Sequence, residues 1–281
     1  MSLGVFKREN LINAWNEYYM YNVPDLYPII VGANQQARDD YNQYAQSDRE
    51  LQFDFVDETC RDDSFGRANF VAGGAPVDGY NNPSNPFCHA VDKNFNLNNI
   101  AHRLYINLGE NRMGFARAFI YVCVERNIPY YFKWSKDGAR ADNMVIYIEK
   151  DRVGDICQVI QDIAEINLHL VQNDRPLPMS VEDCGWFGYG VEEGDRTQSF
   201  SRKVTNSLRR AFDEMRMAYN NDNESINAVL NNPEKYEQFW KWAEYVVAER
   251  FEQDGIPISL QEQMPEEIRM LANMRELMQG M

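Results

Sequence analysis

Apolar and polar residues along the chain recur at two periods, and these mark out its elements. Near the start, Phe6, Leu11, Ala14, Trp15, Tyr18 and Tyr19 fall at helical spacing, which predicts a helix over 5–21 that stops before Pro24. A second helix is expected over 35–48. From 57 to 99 the pattern lapses. GGAPVDG and NNPSNP interrupt it, and a long irregular segment is expected, of the kind that is functional or mobile when set in a compact domain.

At His102 the texture changes. HRLYINL alternates and is rich in β-formers, so it predicts a strand. Residues 111–126 put Phe115, Phe119, Ile120 and Cys123 on one side of a helix. PYYFKW reads as a second strand, the DG of SKDGAR as a turn, and ADNMVIYIE as a third strand forming a hairpin with the second. Val153, Ile156, Ile160, Ile163 and Val171 keep the 3.6-residue period over 151–172, with Asp151 as the candidate cap. GWFGYG is a glycine-flanked aromatic strand or loop. Helices are expected over 197–219, 233–252 and 265–279, and no internal repeat or low-complexity tract occurs. The sum is an α+β fold: a small, mostly antiparallel sheet with a β-α-β-β core, surrounded by helices. Residues 1–99 are expected to pack their helices and irregular segment on a 100–281 core, as one continuous globular unit.

Composition narrows the classes. With 44% hydrophobic and 13% aromatic residues the chain can fill a core, which argues against global disorder. No run approaches the roughly 18 apolar residues of a membrane span. Lys7, Arg8 and Glu9 break the N-terminus, so no apolar secretory signal is expected, although a signal of the receptor-read kind escapes that test. The five cysteines (Cys60, Cys88, Cys123, Cys157, Cys184) contain no CxxC pair, and Cys123 and Cys157 read as core residues. With only His89, His102 and His169 besides, neither a disulfide framework nor a metal centre is expected.

The net charge of −15 argues against nonspecific binding to nucleic acid or anionic membranes. It is unevenly placed. Residues 101–150 hold eight Lys/Arg against five Asp/Glu, a net +3, which leaves −18 on the other 231. A basic island of this kind suits a small anionic ligand, unless its charges are spread over separate surfaces.

Strand alternation sorts the side chains of this 103–149 framework. Arg103, Tyr105 and Asn107 share one face of the first strand. Tyr131 and Lys133 share one face of the second, and Tyr130, Phe132 and Trp134 the other. By the same count Arg140 and Asp142 enter on the face of Met144, Ile146 and Ile148. They form either a structural ion pair or an anion clamp in which Asp142 orients Arg140, since a guanidinium fork matches phosphate oxygens. Lys133, inside an aromatic run, is either an exposed strand lysine or a desolvated one with a lowered pKa, usable as a general base. Beside a phosphate clamp such a base suits β-elimination from a phosphorylated serine or threonine. Lys136 adds a further cation. In GYGVEEGDRTQSF, Gly188 and Gly190 permit a close backbone approach around Tyr189. Thr197 or Ser199 can cap the following helix, and Glu192 lies where that helix start would complete an anion site. His102 is either a core histidine or a general acid. His89 is the weaker candidate, and Asp39–Asp40, Asp62–Asp63 and Glu266–Glu267 read as solvated faces.

At these residues the sequence resembles the HopA-type family, known from a type III secreted effector of plant-pathogenic bacteria. The resemblance runs over about 100–215 through RLYINL, a helix, IPYYFKW, RADNMVIYI and GYGVEE…SF. Lyase members of the family are similar to the partners of kinase-like enzymes in lanthipeptide and thioamide peptide maturation. They expel phosphate from phosphoserine or phosphothreonine and leave a dehydroamino acid. The resemblance implies an active site of Lys133, Arg140 and Asp142 with Arg103 and Tyr147 nearby. It implies a phosphorylated peptide or protein as substrate, a kinase-like protein as possible partner and no cofactor. It also implies a bacterial cytoplasmic protein, or one secreted as an effector. A more distant likeness is to phosphothreonine lyases of the OspF kind, which use a lysine base and a nearby histidine acid. Here Ser135 stands where a Lys-x-His pattern would have histidine, so His102 or Tyr147 would have to donate the proton. Effector members need not be catalysts, which leaves a second reading: a non-catalytic module binding a protein or a phosphate-bearing ligand. A third reading makes 57–99 the recognition loop of an interaction protein.

Overall fold

The computed structural model describes residues 7–32, 39, 41–43, 45–61, 68–72, 75–76, 87–108, 111–136, 138–171, 177–192, 199–221, 229 and 231–279. In chain order the elements are α1 (Arg8–Met20), α2 (Tyr27–Ile30), α3 (Ala45–Arg61), β1 (Ala68–Ala72), β2 (Ala75–Pro76), β3 (Phe87–Asp92), β4 (Ile100–Ile106), α4 (Arg112–Glu125), β5 (Tyr131–Ser135), β6 (Met144–Glu149), α5 (Val153–Ile166), β7 (Glu182–Asp183), β8 (Gly188–Val191), α6 (Phe200–Asn221), α7 (Pro233–Gln253) and α8 (Glu266–Gln279). The fold is α+β. Among the described residues no helix is long and apolar enough to cross a membrane.

The chain forms two compact units, and they do not divide at residue 99. One comprises Met1–Val31, Met179–Glu182 and Asp195–Glu262, the other Gly32–Pro178, Asp183–Gly194 and Gln263–Met281. In the first, the apolar side of α1 packs on α6 and α7. Trp15 is fully buried, edge-on to Phe212 at 5.1 Å between ring centroids and 5.8 Å from Phe239. That contact is why the first helix belongs with the last third of the sequence. Ser199 caps α6, its Oγ accepting the Arg202 N–H at 3.3 Å, and Thr197 lies outside the described residues. Asn232 caps α7 through the N–H groups of Glu234 and Lys235, with Pro233 in the first turn.

The second unit carries the sheet, in the order β2-β1-β3-β5-β6-β4-β8-β7. Its pairings from β2 through β8 are antiparallel. The expected β-α-β-β core is β4-α4-β5-β6, with β6 between β5 and β4. The sheet is wider than that core because β1, β2 and β3 come from the 57–99 segment, which α3 also enters as far as Arg61. Those strands are short and set between glycine and proline clusters, so their alternation is too brief to register. Within the helix expected over 35–48, residues 39, 41 and 42 are helical, a turn falls at 43 and α3 begins at Ala45; 35–38, 40 and 44 lie outside the described residues. Asp151 does not cap α5. Arg152 holds that position, while Asp151 accepts a hydrogen bond from Asn99 Nδ2 at 2.6 Å.

The two faces of the sheet differ in chemistry. On one, Leu104, Phe132, Trp134, Met144, Ile146 and Ile148 are fully buried, with Phe119 of α4 edge-on to Phe132 at 5.7 Å and Phe55 of α3 edge-on to Trp134 at 5.4 Å. The opposite face carries the charged and phenolic side chains described below. A polar cluster ties α3 to the start of α4 and the end of β5. Asp48 Oδ2 accepts from Arg112 Nη2 at 2.5 Å, Gln52 Nε2 at 2.7 Å and Tyr41 Oη at 2.8 Å. Gln52 and Tyr41 also donate to the Lys136 carbonyl, at 3.2 and 3.3 Å, and Trp134 Nε1 donates to Gln52 Oε1 at 3.3 Å.

Candidate functional site

Register decides which residues meet. In β4 and β6, Arg103 pairs with Tyr147 and Tyr105 with Val145. In β5 and β6, Tyr131 pairs with Tyr147 and Lys133 with Val145. In β3 and β5, Phe87 pairs with Ser135 and His89 with Lys133. Side chains alternate across a strand, so Phe87, His89, Arg103, Tyr105, Tyr131, Lys133 and Tyr147 share one face.

Their contacts form a continuous set. The Tyr131 and Tyr147 rings stack at 4.2 Å and 13°. Arg103 lies over Tyr147, its Cζ 4.8 Å from the ring centroid, is buried, and forms an ion pair with Glu192. The Lys133 ammonium sits 4.0 Å from the Phe87 centroid and 6.0 Å from that of Tyr147. Arg140 Cζ lies 4.8 Å from the same Phe87 ring. Cations are held over aromatic faces by the ring quadrupole, more strongly where water is excluded. Gly190, opposite Arg103 on β8, leaves room for the Tyr105 ring: a Cβ there would fall 2.9 Å from Tyr105 Cε2. Sequence reasoning gave this glycine a role around Tyr189; the close approach is to Tyr105.

Arg140 and Asp142 do pair, and bidentately, Nε to Oδ1 at 2.7 Å and Nη2 to Oδ2 at 3.0 Å. They do not lie on the Met144 face, however. Residues 138–143 form turns, not strand, so the two-residue period does not reach them. Arg140 is instead carried to Phe87 on the Lys133 side.

Protonation follows burial and neighbours. Burial pulls the Lys133 pKa down, but Tyr147 and Asp142 outweigh it and the net direction is upward. The lowered pKa expected of this lysine is therefore corrected: it stands as an ammonium at neutral pH. His89 moves the other way, pushed down to about 4 by burial and then by Lys133. Burial raises the Tyr105 and Tyr131 phenols, so both stay protonated at neutral pH.

Of the residues singled out from sequence, Lys133, Arg103, Arg140, Asp142, Tyr147 and Glu192 come together. His102 does not. It lies on the opposite face of β4, opposite Ile148, with its Nδ1 2.9 Å from Tyr189 Oη. Lys136 lies just past the end of β5, and its charge acts on Cys88, which pairs with Trp134 on the opposite face. The residue sequence reasoning undervalued is His89, because its neighbour Lys133 lies 44 positions away and only strand pairing joins them. Among the described residues no three His, Cys, Asp or Glu side chains gather as a metal ion would require.

Fold and site define an α+β protein with a cationic cluster, walled by aromatic rings, on one sheet face. No family profile and no curated protein matches the chain. Among solved structures it is similar to an effector protein from Pseudomonas syringae pv. tomato strain DC3000, at 13% identity and a TM-score of 0.44 over 73% of this chain and 88% of that one. It is also similar to an effector protein from Pseudomonas syringae pv. syringae strain 61, at 12% identity and a TM-score of 0.39 over 73% of this chain and 89% of that one. Likeness this distant carries no information on activity.

Proposed function

We propose that the Lys133 face binds the phosphate of a phosphorylated serine or threonine in a peptide or protein and expels it by β-elimination. One observation carries this reading. Among the described residues Lys133 makes no direct ion pair: its ammonium rests on Phe87, and Asp142, which acts on it electrostatically, is held by Arg140. Three cations (Arg103, Lys133, Arg140) meet two carboxylates (Asp142, Glu192), so the cluster keeps one net positive charge for a phosphate ester. Held in place before the reaction, that charge stabilises a departing phosphate without reorganisation. Abstraction of the Cα proton and cleavage of the Cβ–O bond then leave a dehydroamino acid and hydrogen phosphate. A kinase-class reaction must supply the substrate. The test is mass spectrometry of phosphoserine and phosphothreonine peptides incubated with the protein. Loss of one phosphoric acid is expected, and Lys133→Ala should slow it by roughly 10²–10³-fold, as loss of one charge-stabilising donor does. No mass change across a broad phosphopeptide library sinks the elimination reading.

A second reading is supported by the upward direction of the Lys133 pKa, which removes the base expected from sequence. The site is then a module that holds a phosphate-bearing ligand without turnover. Calorimetry separates the two: phosphopeptide binding that Lys133→Ala weakens, with no product formed, favours the module.

A further inference from the structure

We infer that His89 is the proton acceptor of this site, taking the Cα proton of the phosphorylated residue while Lys133 receives the phosphate. The inference rests on the elimination reading above and supplies the group that reading lacks.

The geometry comes from the β3–β5 pairing. His89 is directly opposite Lys133, and such cross-strand neighbours have Cβ atoms about 4.5–5.5 Å apart. A substrate whose phosphate meets the Lys133 ammonium therefore has its Cα, three bonds from the phosphorus, within reach of the imidazole. The ring is anchored. Its Nδ1 lies 2.9 Å from Tyr131 Oη, and Tyr131 in turn stacks on Tyr147. In the tautomer whose Nδ1–H donates to Tyr131 Oη, Nε2 carries the lone pair. His89 is half-buried, so it retains an open side.

The other candidates on this face are committed. Asp142 and Glu192 are each held by an arginine. The Tyr105 and Tyr131 phenols are raised and protonated at neutral pH. Lys133 is already an ammonium. Burial and Lys133 keep the imidazole neutral, so it is the available base at neutral pH. Two titratable neighbours pushed in opposite directions are the usual mark of divided acid and base roles. A bound phosphate dianion offsets the Lys133 charge and strengthens the imidazole as a base when substrate is present.

The step balances. Nε2 forms a bond to the Cα proton, the C–H electron pair becomes the Cα=Cβ double bond, and the Cβ–O pair leaves with the phosphate oxygen. The imidazolium, unfavourable beside Lys133, returns its proton to the departing phosphate. The products are a dehydroamino acid and hydrogen phosphate, with the enzyme restored.

The experiment measures turnover of a phosphoserine peptide by the wild type, His89→Gln, His89→Ala and Lys133→Ala, with Kd from calorimetry. For His89→Gln, kcat should fall by roughly 10²–10⁴-fold, as loss of a general base does, with Kd within a few-fold of wild type. Added imidazole should restore part of the activity of His89→Ala, which a merely structural role does not predict. Lys133→Ala should instead weaken Kd as well. A His89→Gln protein with kcat within about threefold of wild type, on the scale of general-base effects, overturns the assignment and leaves the elimination reading standing. A wild type that binds phosphopeptide but never eliminates overturns both. Should the histidine variants fail to fold, the wild-type kcat/KM profile decides. Activity that is level from neutral pH upward supports His89, and activity still rising above about pH 9 marks a lysine base and overturns it.

Discussion

Asp48→Ala is the most direct probe of the scaffold behind the site. The Asp48 carboxylate is 2% exposed and the Arg112 side chain 0%. Removing the carboxylate strips the guanidinium of its partner, takes one of the two acceptors of Gln52 Nε2 and leaves Tyr41 Oη the longer contact to the Lys136 carbonyl. Arg112 Nε and Nη1 already lack partners among the described residues, so nothing is at hand to replace Asp48. Breaking a buried pair in this way costs about 3–5 kcal/mol. Taking about 4 kcal/mol and a urea slope of about 3 kcal/mol per molar, the unfolding midpoint of this unit should fall by roughly 1.3 M. Asp48→Asn keeps an acceptor oxygen and loses only the charge, so it should cost about 1.5–3 kcal/mol, the range for one hydrogen bond to a charged group. Asp48→Leu combined with Arg112→Met removes both charges and should cost less than Asp48→Ala alone. Urea unfolding followed by tryptophan fluorescence reads these changes, since Trp134 donates to Gln52 within the cluster. A midpoint change below about 0.3 M for Asp48→Ala, under 1 kcal/mol at that slope, or a double variant that costs the sum of its parts, refutes the reasoning.

Gly190→Ala places a Cβ 2.9 Å from the buried Tyr105 ring, so overpacking should cost about 1–3 kcal/mol in urea unfolding. Ser199→Ala removes the α6 cap and should cost about 1 kcal/mol in the same assay, while Ser199→Asp should cost less. His89 sits near pKa 4 in the folded state against an ordinary 6.5. The unfolded chain therefore binds the extra proton between those values, and the histidine's contribution is complete above 6.5 and lost as pH falls toward 4. The urea midpoint should accordingly fall less in His89→Gln than in wild type between pH 7 and about pH 4.5; an equal fall speaks against a buried neutral imidazole.

The central strands and helices were legible because their periods are long and clean. HRLYINL, PYYFKW and NMVIYIE alternate, and Phe115, Phe119 and Cys123 keep the helical spacing, so β4, α4, β5 and β6 follow from pattern alone. The shared faces of Arg103 with Tyr105 and of Lys133 with Tyr131 follow from the same alternation. Arg140 and Asp142 were misplaced because alternation was carried past Met144 into a turn where it has no force. The strands of 57–99 escaped notice because they are short and their stabilising partner is β5, not a sequence neighbour. The same holds for Asp48, whose burial depends on a tertiary contact with Arg112, 64 positions away. The direction of the Lys133 pKa was equally out of reach, since it depends on Tyr147 and Asp142 arriving beside the lysine.

The strand order sets a timetable. β5 and β6 are joined by residues 136–143 and β3 reaches β5 only across 93–130, a span roughly five times longer, whose closure in a flexible chain costs about 1.4 kcal/mol more. The Lys133 hairpin can therefore form early, but His89 and Phe87 arrive only when the distant pairing closes. During refolding, recovery of hairpin-specific hydrogen-exchange protection should precede recovery of phosphate affinity. The Lys133 face is thus completed late, and a partly folded chain carries Lys133 before Phe87 and His89 have paired across from it.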